Sequence, residues 1–318
     1  MSNRQTTQHE FVEEYCDNDH SKIMSQGWMN NGNKDGLWKT FYYSNKAQLK
    51  EEILFVNGVK YGPYKLYYNN GSSNSSESSN LLLQTEGYYN DDEPNGWWMD
   101  FYYDSGNRLK SKYFIVDGKL DGMYTHYYND DESTIKNQFE CKHGDKNGLY
   151  TAWYNNSLHT VEEYGYYLNN EKTGIWTEYS NPATLSRNGP SVSTTSQLSK
   201  QGSYVNGKKH GLWRTWGDHS NHALVSEGSY THGIKQGTWK YWGGGDSKSI
   251  HLDKYLSIGQ YVNDSKEGIW KLYHYGNGNI VSMIKQLYFN GKQRNIFETP
   301  FSNDLYLRDE VQDSNDLI

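Results

Sequence analysis

The chain has 318 residues, a formal net charge of −7 and few aliphatic residues, yet 16% of its residues are aromatic, with thirty tyrosines and eleven tryptophans. A mean hydropathy of −0.99 is typical of a disordered chain, but rings in this number can form a core of amphipathic side chains instead. The basic residues stand singly along the sequence, which argues against nucleic acid as a partner and against purely electrostatic attachment to anionic lipid, and the apolar runs are too short for a transmembrane helix.

The two ends of the chain differ in character from its centre. We predict that 1–21 is a polar N-terminal tail, without the apolar region of a secretory signal. The segment 302–318 is acidic, and we predict either a second tail or a cap over the last strand edge. Its acidic residues are Asp304, Asp309, Glu310, Asp313 and Asp316. The two cysteines, Cys16 and Cys141, share no metal-ligand spacing, and so few cysteines favour an intracellular protein, either cytoplasmic or peripheral to a membrane.

Internal repeats fill 22–301, and each repeat contains one glycine that anchors the alignment. The anchor glycines are Gly36, Gly62, Gly96, Gly122, Gly148, Gly174, Gly211, Gly237 and Gly268. Five of the eight intervals between them are 26 residues. The three longer intervals contain the polar insertions 72–79, 181–196 and 243–249, whose composition is typical of loops.

Four positions of the repeat are restricted in residue type. The second residue after the anchor is always aromatic: Trp38, Tyr64, Trp98, Tyr124, Tyr150, Trp176, Trp213, Trp239 and Trp270. The fifth residue after it is also aromatic: Phe41, Tyr67, Phe101, Tyr127, Trp153, Tyr179, Trp216, Trp242 and Tyr273. The fourth residue before the anchor is always Gly, Asn or Asp, which tolerate a left-handed backbone. The seventh residue before it is always apolar or aromatic.

The repeat reads as strand, tight turn, strand and looser turn, because residues that tolerate positive φ separate two short aromatic-rich runs. Nine repeats and a last returning strand near 280–289 give about nineteen strands. We therefore predict an all-β fold, an elongated single-layer antiparallel β-meander of about nine repeated hairpins. Alternate residues of a strand point to opposite faces, so we expect the second and fifth aromatic columns on opposite faces. One column should fill a concave side, and the other should form a ladder on the outer side.

The repeat is clearest over 202–216, which reads Gly-Ser-Tyr-Val-Asn-Gly-Lys-Lys-His-Gly-Leu-Trp-Arg-Thr-Trp, and again over 228–242. This pattern resembles the MORN repeat (membrane occupation and recognition nexus), in the longer variant found in antitoxin-like, protist and large-virus proteins. The similarity extends over about 26–291 and is weakest around Cys141, where most other repeats have an aromatic residue. The resemblance implies an elongated antiparallel sheet and a scaffold or interaction role without catalysis. It also implies phospholipid contact or self-association as further roles.

The aromatic columns are the strongest candidates for a binding surface, and two interpretations remain open. Cross-strand aromatic pairs stabilise a sheet by about 0.2–1 kcal/mol each, which would make the columns structural. One column could instead line a surface that accepts a peptide, a helix or a small ligand. On the second interpretation we predict partner-binding residues Trp38, Trp98, Trp176, Trp213, Trp216, Trp239, Trp242 and Trp270.

The sequence contains no arrangement of residues that predicts catalysis, a metal site or a cofactor. His219 and His222 have ligand spacing but fall in a polar segment predicted to be a loop. Cys141 and His143 precede a turn glycine, and nothing singles out a partner base for the thiol. The acidic runs 91–93 and 130–132 lack the alternating ligands of a calcium loop.

We therefore expect a non-enzymatic repeat scaffold that binds a protein through an aromatic-lined sheet face. The partner is of unknown identity, and nucleic acid is not expected. Three alternatives stay open: a peripheral phospholipid-membrane adaptor, an antitoxin-like inhibitor of a partner protein, and a carbohydrate- or choline-binding array. The last is suggested by tryptophan and tyrosine rings, which form cages for quaternary ammonium groups.

Overall fold

The structure is a computed structural model, and it describes residues 9–16, 20–43, 48–69, 81–104, 106–182, 196–217, 223–243, 255–276 and 279–300. Within these ranges the regular elements are 23 β-strands, with no helix among them. The strands pair antiparallel in sequence order, so the predicted all-β antiparallel meander is confirmed. The chain divides into two compact units: the first is Met1–His159 with Tyr167–Asn170, and the second is Thr160–Tyr166 with Glu171–Ile318. The acidic segment 302–318 lies outside the described residues.

Thirteen strands belong to the first unit. They are β1 (His9–Tyr15), β2 (Ile23–Asn30), β3 (Asn33–Lys34), β4 (Gly36–Phe41), β5 (Leu49–Val56), β6 (Val59–Tyr67), β7 (Leu83–Asn90), β8 (Glu93–Pro94), β9 (Gly96–Phe101), β10 (Leu109–Val116), β11 (Lys119–Tyr127), β12 (Ile135–Lys142) and β13 (Asp145–Trp153). Strand β14 (Val161–Leu168) contributes residues to both units. The second unit continues with β15 (Glu171–Ser180), β16 (Gln197–Val205), β17 (Lys208–Trp216), β18 (Leu224–Thr231), β19 (Ile234–Trp242), β20 (Tyr255–Val262), β21 (Ser265–Gly276), β22 (Asn279–Phe289) and β23 (Lys292–Pro300).

The structure has more strands than the sequence predicted. Strand β1 lies inside the segment predicted as an N-terminal tail, where it pairs with β2 along its whole length. Strand β23 pairs with β22 beyond a further tight turn at Asn290–Gly291. In two repeats the second strand is interrupted, at Asp35 and at Asn95, and the amide N–H of each residue still bonds across the hairpin, to Trp28 O and to Tyr88 O. The other repeats follow the predicted strand-turn-strand order.

The tight turns have the backbone that the sequence predicted. In the turn of 202–216, Asn206 has φ 50° and Gly207 has φ 70°. Two consecutive positive φ values define the type I′ hairpin turn, which matches the twist of its strands. Where the second turn residue is not glycine it is Asp92, Asn170 or Asp264, and each of these also has positive φ. The turn residues therefore recur because the backbone conformation requires them.

The anchor glycine marks a bulge in the second strand of each hairpin. All nine anchors have positive φ, from 63° at Gly174 to 132° at Gly148. In the pair β16–β17, Gly202 lies opposite Trp213 while the next residue, Ser203, lies opposite His210. Gly211 and Leu212 thus have no partner across the hairpin, as in a bulge that begins with glycine. The fixed spacing between the turn residues and the aromatic columns of each repeat therefore includes the unpaired residues of this bulge.

Successive hairpins are joined along their turns as well as along their strands. The N–H of the second turn residue donates to the carbonyl two residues before the preceding anchor, as in Gly207 to Lys172 at 3.0 Å and Gly233 to Lys209 at 2.7 Å. At Asp264 the side chain adds a second bond, since its Oδ1 accepts the N–H of Lys235 at 2.7 Å. Each repeat is therefore stabilised by its neighbour, as expected in a repeat array.

Candidate functional site

Six tryptophans of the second column lie against the face of a glycine on the preceding strand. We call the side of the sheet that carries them the Trp face. Trp213 lies opposite Gly202, and Trp239 opposite Gly228. A Cβ built on Gly228 would stand 2.1 Å from Cδ2 of Trp239. The other pairs are Gly27 with Trp38, Gly87 with Trp98, Gly165 with Trp176 and Gly259 with Trp270. Glycine is required at these positions because the indole occupies the space of a side chain.

The same six indoles are the most buried large rings among the described residues, with 1% to 5% of their surface exposed. Most of them also donate their Nε1–H to a backbone carbonyl of the preceding strand, as Trp38 does to Trp28 at 2.9 Å. Trp216 and Trp242, in the fifth column, are only half-buried. The assignment of all eight tryptophans to a partner stays a prediction. The burial nevertheless gives the six indoles a structural role, since a ring exposed by so little offers a partner almost no contact area.

The three repeats with tyrosine in the second column have a large residue where the others have glycine. These pairs are Ile53 with Tyr64, Tyr113 with Tyr124, and Phe139 with Tyr150. Tyr113, Tyr124 and Phe139 stack in succession, with centroids 5.3 and 4.8 Å apart and planes within 12°. A smaller ring thus accompanies a larger opposite residue, so the stacking of an indole on glycine is absent from these three repeats.

Lysine recurs two residues before the anchor glycine, and its ammonium group lies on the Trp face. In the second unit Lys172 Nζ is 3.6 Å from the ring centroid of Trp176, and Lys235 Nζ is 4.4 Å from that of Trp239. All the lysines of this position are Lys34, Lys60, Lys146, Lys172, Lys209, Lys235 and Lys266. Such contacts are cation–π interactions, worth about 0.5–2 kcal/mol each.

Sequence reasoning missed these lysines as a group, which we call the lysine row, because they stand as single residues along the chain. The alignment on the anchor glycine could have found it, since seven of the nine repeats have lysine there. Burial between the rings lowers the pKa of Lys209, Lys235 and Lys266 below the ordinary lysine value. The basic residues are therefore not scattered in space, and the second unit carries a row of partly desolvated ammonium groups.

The lysine ammonium groups occupy the spaces between aromatic rings that had suggested choline as a ligand. Lys172 Nζ lies 3.6 Å from the Trp176 ring and 5.6 Å from the ring of Tyr204 in the next repeat. Lys266 Nζ lies 4.2 Å from the Trp270 ring and 4.9 Å from that of Tyr288. A quaternary ammonium group would have to displace a lysine that the chain itself places between these rings. The structure therefore gives no support to the choline-binding alternative.

A row of tyrosine hydroxyl groups crosses the first unit at the sixth position after the anchor. Each of these phenols donates to the backbone carbonyl of the fifth-column residue in the next repeat, at 2.7 to 2.8 Å. The donors are Tyr42, Tyr68, Tyr102 and Tyr128. In the second unit the same position holds Ser180, Gly217, Gly243 and His274, so this bond is specific to the first unit.

The opposite face of the first unit carries large apolar side chains that remain exposed. Trp97 is 48% exposed and Trp28 is 43% exposed, in contrast to the buried indoles of the Trp face. Their rings contact others on the same face, with Trp97 5.2 Å from Phe114 and Trp28 5.5 Å from Phe11. We name as the exposed stripe the residues Phe11, Trp28, Leu37, Tyr61, Tyr88, Trp97 and Met123.

Five of the seven stripe residues come from two repeat positions that the aromatic columns did not include, whereas Phe11 precedes the first repeat and Tyr61 directly precedes its anchor. The two positions are the first residue after the anchor, such as Leu37 and Trp97, and the eighth residue before it, such as Trp28 and Tyr88. The first of these positions is apolar in eight of nine repeats, a signal present in the sequence. In the second unit, exposed Leu212 lies opposite Ser229, so at this position no large apolar residue is its partner on β18.

Charged side chains and further rings, among them the buried Tyr67, occupy the rest of the opposite face. Lys39 Nζ is 3.3 Å from Glu52 Oε1, and the Tyr67 hydroxyl donates to Glu52 Oε2 at 2.8 Å. Tyr67 belongs to the fifth column, whereas Tyr64 of the second column packs 5.4 Å from Trp98 on the Trp face. The two columns therefore lie on opposite faces, as predicted. In the second unit Arg214 forms the matching ion pair with Glu227 at 2.8 Å.

The remaining candidates from the sequence have structural roles or fall outside the described ranges. Cys141 is buried, and burial raises the pKa of its thiol, which disfavours the reactive thiolate. His143 lies in a turn at φ 53°. The pair His219 and His222 lies outside the described residues. Nowhere in the described ranges do three or more metal-ligating side chains cluster, and these ranges hold no helix long and apolar enough to span a bilayer.

Comparisons with known proteins do not identify a family or a function for this chain. No family model and no curated protein matches the chain. Among solved structures, the chain is similar to part of the crystal structure of TcdB2-TccC3-Cdc42, with 10% identity and a TM-score of 0.19, covering 92% of this chain and 16% of that one. It is also similar to part of a Photorhabdus luminescens Tc holotoxin pore carrying the mutation TccC3-D651A, with 8% identity and a TM-score of 0.17, covering 88% and 20%. The chain thus spans a fifth or less of these structures, and TM-scores this low support no inference about its function.

Proposed function

We propose that the chain is a non-enzymatic, MORN-like repeat scaffold that binds a protein through the exposed stripe of its first unit. The observation that carries this proposal is the placement of seven large apolar side chains, each between 39% and 49% exposed, on one face of the strands from β1 to β11. Contiguous exposed patches rich in Trp, Tyr and Met are typical of interaction surfaces.

The size of the stripe is consistent with an anchor for a partner. Full burial of a large apolar side chain contributes about 1.5–3 kcal/mol. Side chains that are half exposed retain about half of this, so covering seven of them contributes roughly 5–10 kcal/mol. Association itself costs about 4–15 kcal/mol. The stripe therefore accounts for the centre of an interface, and polar side chains beside it, such as Lys39 and Glu52, must supply the rim.

The rigidity of the stripe also favours recognition. Trp97 is held by Phe114 on one side and by Lys112, whose Nζ lies 4.6 Å from its ring centroid. Tyr88 contacts Tyr61 with centroids 6.1 Å apart. Side chains fixed in this way lose little conformational entropy when they bind, which is why rigid aromatic residues dominate binding energy.

An intracellular location is part of the proposal. It is supported by the low cysteine content, since the chain has only two cysteines, Cys16 and Cys141. Self-association through the stripe and contact with phospholipid are outcomes that the experiment must separate from binding of a different protein.

The experiment places a photo-crosslinking phenylalanine at Trp97 and, as a matched control, at Leu212. The two positions are equivalent in the repeat and are 48% and 46% exposed, but only Trp97 lies in the exposed stripe. We expect the Trp97 probe to form a discrete protein adduct in cells of the source, with at least about fivefold less from Leu212. Equal labelling at both positions, or none, would contradict the proposal.

Two further measurements distinguish the other outcomes. Adducts between differently tagged copies of the chain would identify the stripe as a self-association surface. Co-sedimentation with phosphatidylcholine–phosphatidylserine vesicles at low salt, lost in Trp97→Glu and kept in Leu212→Glu, would instead assign the stripe to a lipid surface and refute the protein-binding proposal. Circular dichroism of both variants checks that the sheet is intact.

A further inference from the structure

The lysine row continues without a break through the second unit. Lys172, Lys209, Lys235 and Lys266 stand two residues before four consecutive anchor glycines, whereas two successive repeats of the first unit have proline and leucine there. Each of the four ammonium groups lies over the indole of its own repeat, with Nζ 3.6 to 4.4 Å from a ring centroid. All four side chains keep part of their surface exposed. The second unit thus presents four regularly placed cations on its Trp face.

Three of these cations have no acidic partner. Among the described residues Lys209, Lys235 and Lys266 form no ion pair. Lys172 differs, because its Nζ is 3.2 Å from Glu163 Oε2. The Nζ of Lys235 donates to the Tyr241 hydroxyl at 2.9 Å, and burial raises the pKa of that phenol, so this partner stays neutral. The positive charge of the three lysines is therefore not compensated within the described sheet.

The carboxylates near the three lysines are engaged elsewhere. Glu178 acts electrostatically on Lys209, but its Oε2 is 2.7 Å from Lys200 Nζ. Asp264 acts on Lys235, but its Oδ1 accepts the backbone N–H of that residue at 2.7 Å. The neighbouring ammonium groups of Lys200 and Lys235 oppose the charge on Lys209. Partly desolvated cations that repel one another are stabilised by an anionic ligand from outside.

The strand register fixes the interval between successive lysines. Tyr230 on β18 pairs with Gly211 on one side and with Lys235 on the other. Because Gly211 is two residues after Lys209, one step of the row crosses two strand spacings and shifts by two residues. The step from Lys235 to Lys266 is the same. At about 4.8 Å per strand spacing and 3.3 Å per residue, successive lysines stand roughly 10–12 Å apart.

A matching ligand needs negative charges that repeat at a similar interval. A polyproline II peptide has three residues per turn, so acidic residues at every third position lie on one side, about 9.3 Å apart. A glutamate side chain is long enough to cover the remaining difference. Nucleic acid fits less well, because the phosphates of one duplex strand repeat every 3.4 Å or so. A single strand needs exposed rings on which its bases stack, whereas Trp213, Trp239 and Trp270 are only 1% to 4% exposed.

We propose that the lysine row of the second unit binds an extended acidic peptide of a partner protein, with acidic residues at every third position facing Lys209, Lys235 and Lys266. The peptide lies across the strands on the Trp face and contacts the sheet through side chains. Lys172 contributes less, because Glu163 already pairs with it. This site is separate from the exposed stripe of the first unit, so the failure of either proposal leaves the other standing.

Fluorescence anisotropy with the full chain tests the proposed spacing. The probe is a fluorescein-labelled peptide of four copies of Glu-Pro-Pro, and its control is an isomer with the four glutamates consecutive. At about 50 mM salt the spaced peptide should bind at least about fivefold more tightly than the isomer. Raising the salt to about 1 M shortens the screening length to about 3 Å and should weaken binding at least about tenfold. Equal affinities, no binding of the spaced peptide, or binding insensitive to salt would overturn the proposal.

Substitutions on one strand test the face that binds. Lys235→Gln removes the central charge but keeps a long side chain, and should weaken binding of the spaced peptide at least about fivefold. Lys240→Gln is the matched control, because Lys240 lies on the same strand but on the opposite face, 3.6 Å from Glu227. It should bind within about twofold of the unmodified chain. Equal losses in the two variants, with circular dichroism showing both sheets intact, would exclude the lysine row as the binding site.

Lysine acetylation of the unmodified chain gives a readout that needs no variant. With the spaced peptide at about ten times its Kd, roughly nine-tenths of the chain is bound, so acetylation of Lys209, Lys235 and Lys266 should slow at least about threefold. Lys240 should react at its original rate, and equal protection of Lys240 or no protection of the row would refute the site. Oligothymidylate or phosphatidylserine vesicles could instead protect the same lysines and bind more tightly than the peptide. That result would assign the row to a phosphate ligand and refute the peptide proposal.

Discussion

The contact between Gly228 and Trp239 gives the sharpest prediction of stability. In Gly228→Ala the new methyl group would stand 2.1 to 2.5 Å from three atoms of the indole, well inside contact distance. The indole cannot shift freely, because its Nε1–H donates to Ser229 O at 3.2 Å and Lys235 Nζ lies 4.4 Å above its ring. Gly228 has no positive φ, so alanine brings no backbone strain of its own. The cost is therefore steric.

The expected magnitude follows from two bounds. Overpacking of a filled core costs about 1–3 kcal/mol when the neighbours adjust. If the indole leaves its site altogether, the loss is limited to about 3–5 kcal/mol, the cost of removing a buried tryptophan. We therefore expect Gly228→Ala to lower the free energy of unfolding by about 1–3 kcal/mol. For a unit of this size the melting temperature should fall by about 2–4 °C per kcal/mol.

Thermal denaturation followed by circular dichroism measures the loss, and a second substitution tests its cause. The pair Ile53–Tyr64 shows that this chain packs a large residue against tyrosine at the same two positions. Gly228→Ala combined with Trp239→Tyr should therefore recover at least about 1 kcal/mol relative to additive effects. Ser226→Ala, on the same strand and face, is the control and should change stability by less than about 0.5 kcal/mol.

Two results would refute this reasoning. Gly228→Ala could be as stable as the unmodified chain within about 0.5 kcal/mol, which would mean that the indole moves aside without cost. The double substitution could also be additive, which would mean that residues 228 and 239 do not share one packing site.

Three further predictions concern the turns, the tyrosine row and pH. Asp264→Ala should lower the free energy of unfolding by about 1–3 kcal/mol, because alanine at positive φ is strained and one hydrogen bond is lost. Asp264→Gly keeps the φ and should lose only about 1 kcal/mol in the same melts; equal losses would contradict the argument. Tyr102→Phe removes the bond to Tyr127 O and should cost about 0.5–1.5 kcal/mol in urea denaturation, whereas Tyr103→Phe, at an exposed neighbour, should cost nothing measurable. Burial lowers the pKa of His126, so the folded chain disfavours the protonated ring, and stability present above the ordinary value of 6.5 is lost as pH falls through it. The melting temperature should drop between pH 7.5 and 5.5, and His126→Gln should reduce this drop; an unchanged pH profile in that variant would rule out His126 as its source.

The tight turns show how far local sequence reasoning reaches. Asn206–Gly207 predicted a type I′ turn, and the structure has one, because positive φ at two adjacent residues is a local requirement that few residue types meet. The same reasoning missed strand β1 near the start of the chain. The polar composition of 1–21 predicted a tail, yet β1 pairs with β2 over seven residues. Pairing with the edge of β2 depends on the neighbouring strand, which the composition of 1–21 does not reveal.

The two aromatic columns show where local reasoning stops. Strand alternation placed them on opposite faces, and the structure agrees. The sequence did not decide which rings are buried, because Trp38 and Trp216 look alike as aromatic residues at fixed positions. The deciding partner of Trp38 is Gly27, on another strand. The exposed stripe was missed for the same reason, since single apolar residues such as Trp97 acquire meaning only beside their cross-strand neighbours.

The sequence by itself determined the repeat, its turns and the antiparallel hairpins, since φ preferences and alternation act between residues close in the chain. The tertiary structure alone decided which face packs and which stays exposed. It also aligned Lys209, Lys235 and Lys266, which are distant in sequence, into one row on neighbouring hairpins. Packing and charge depend on distances across strands, and those distances exist only once the hairpins have paired.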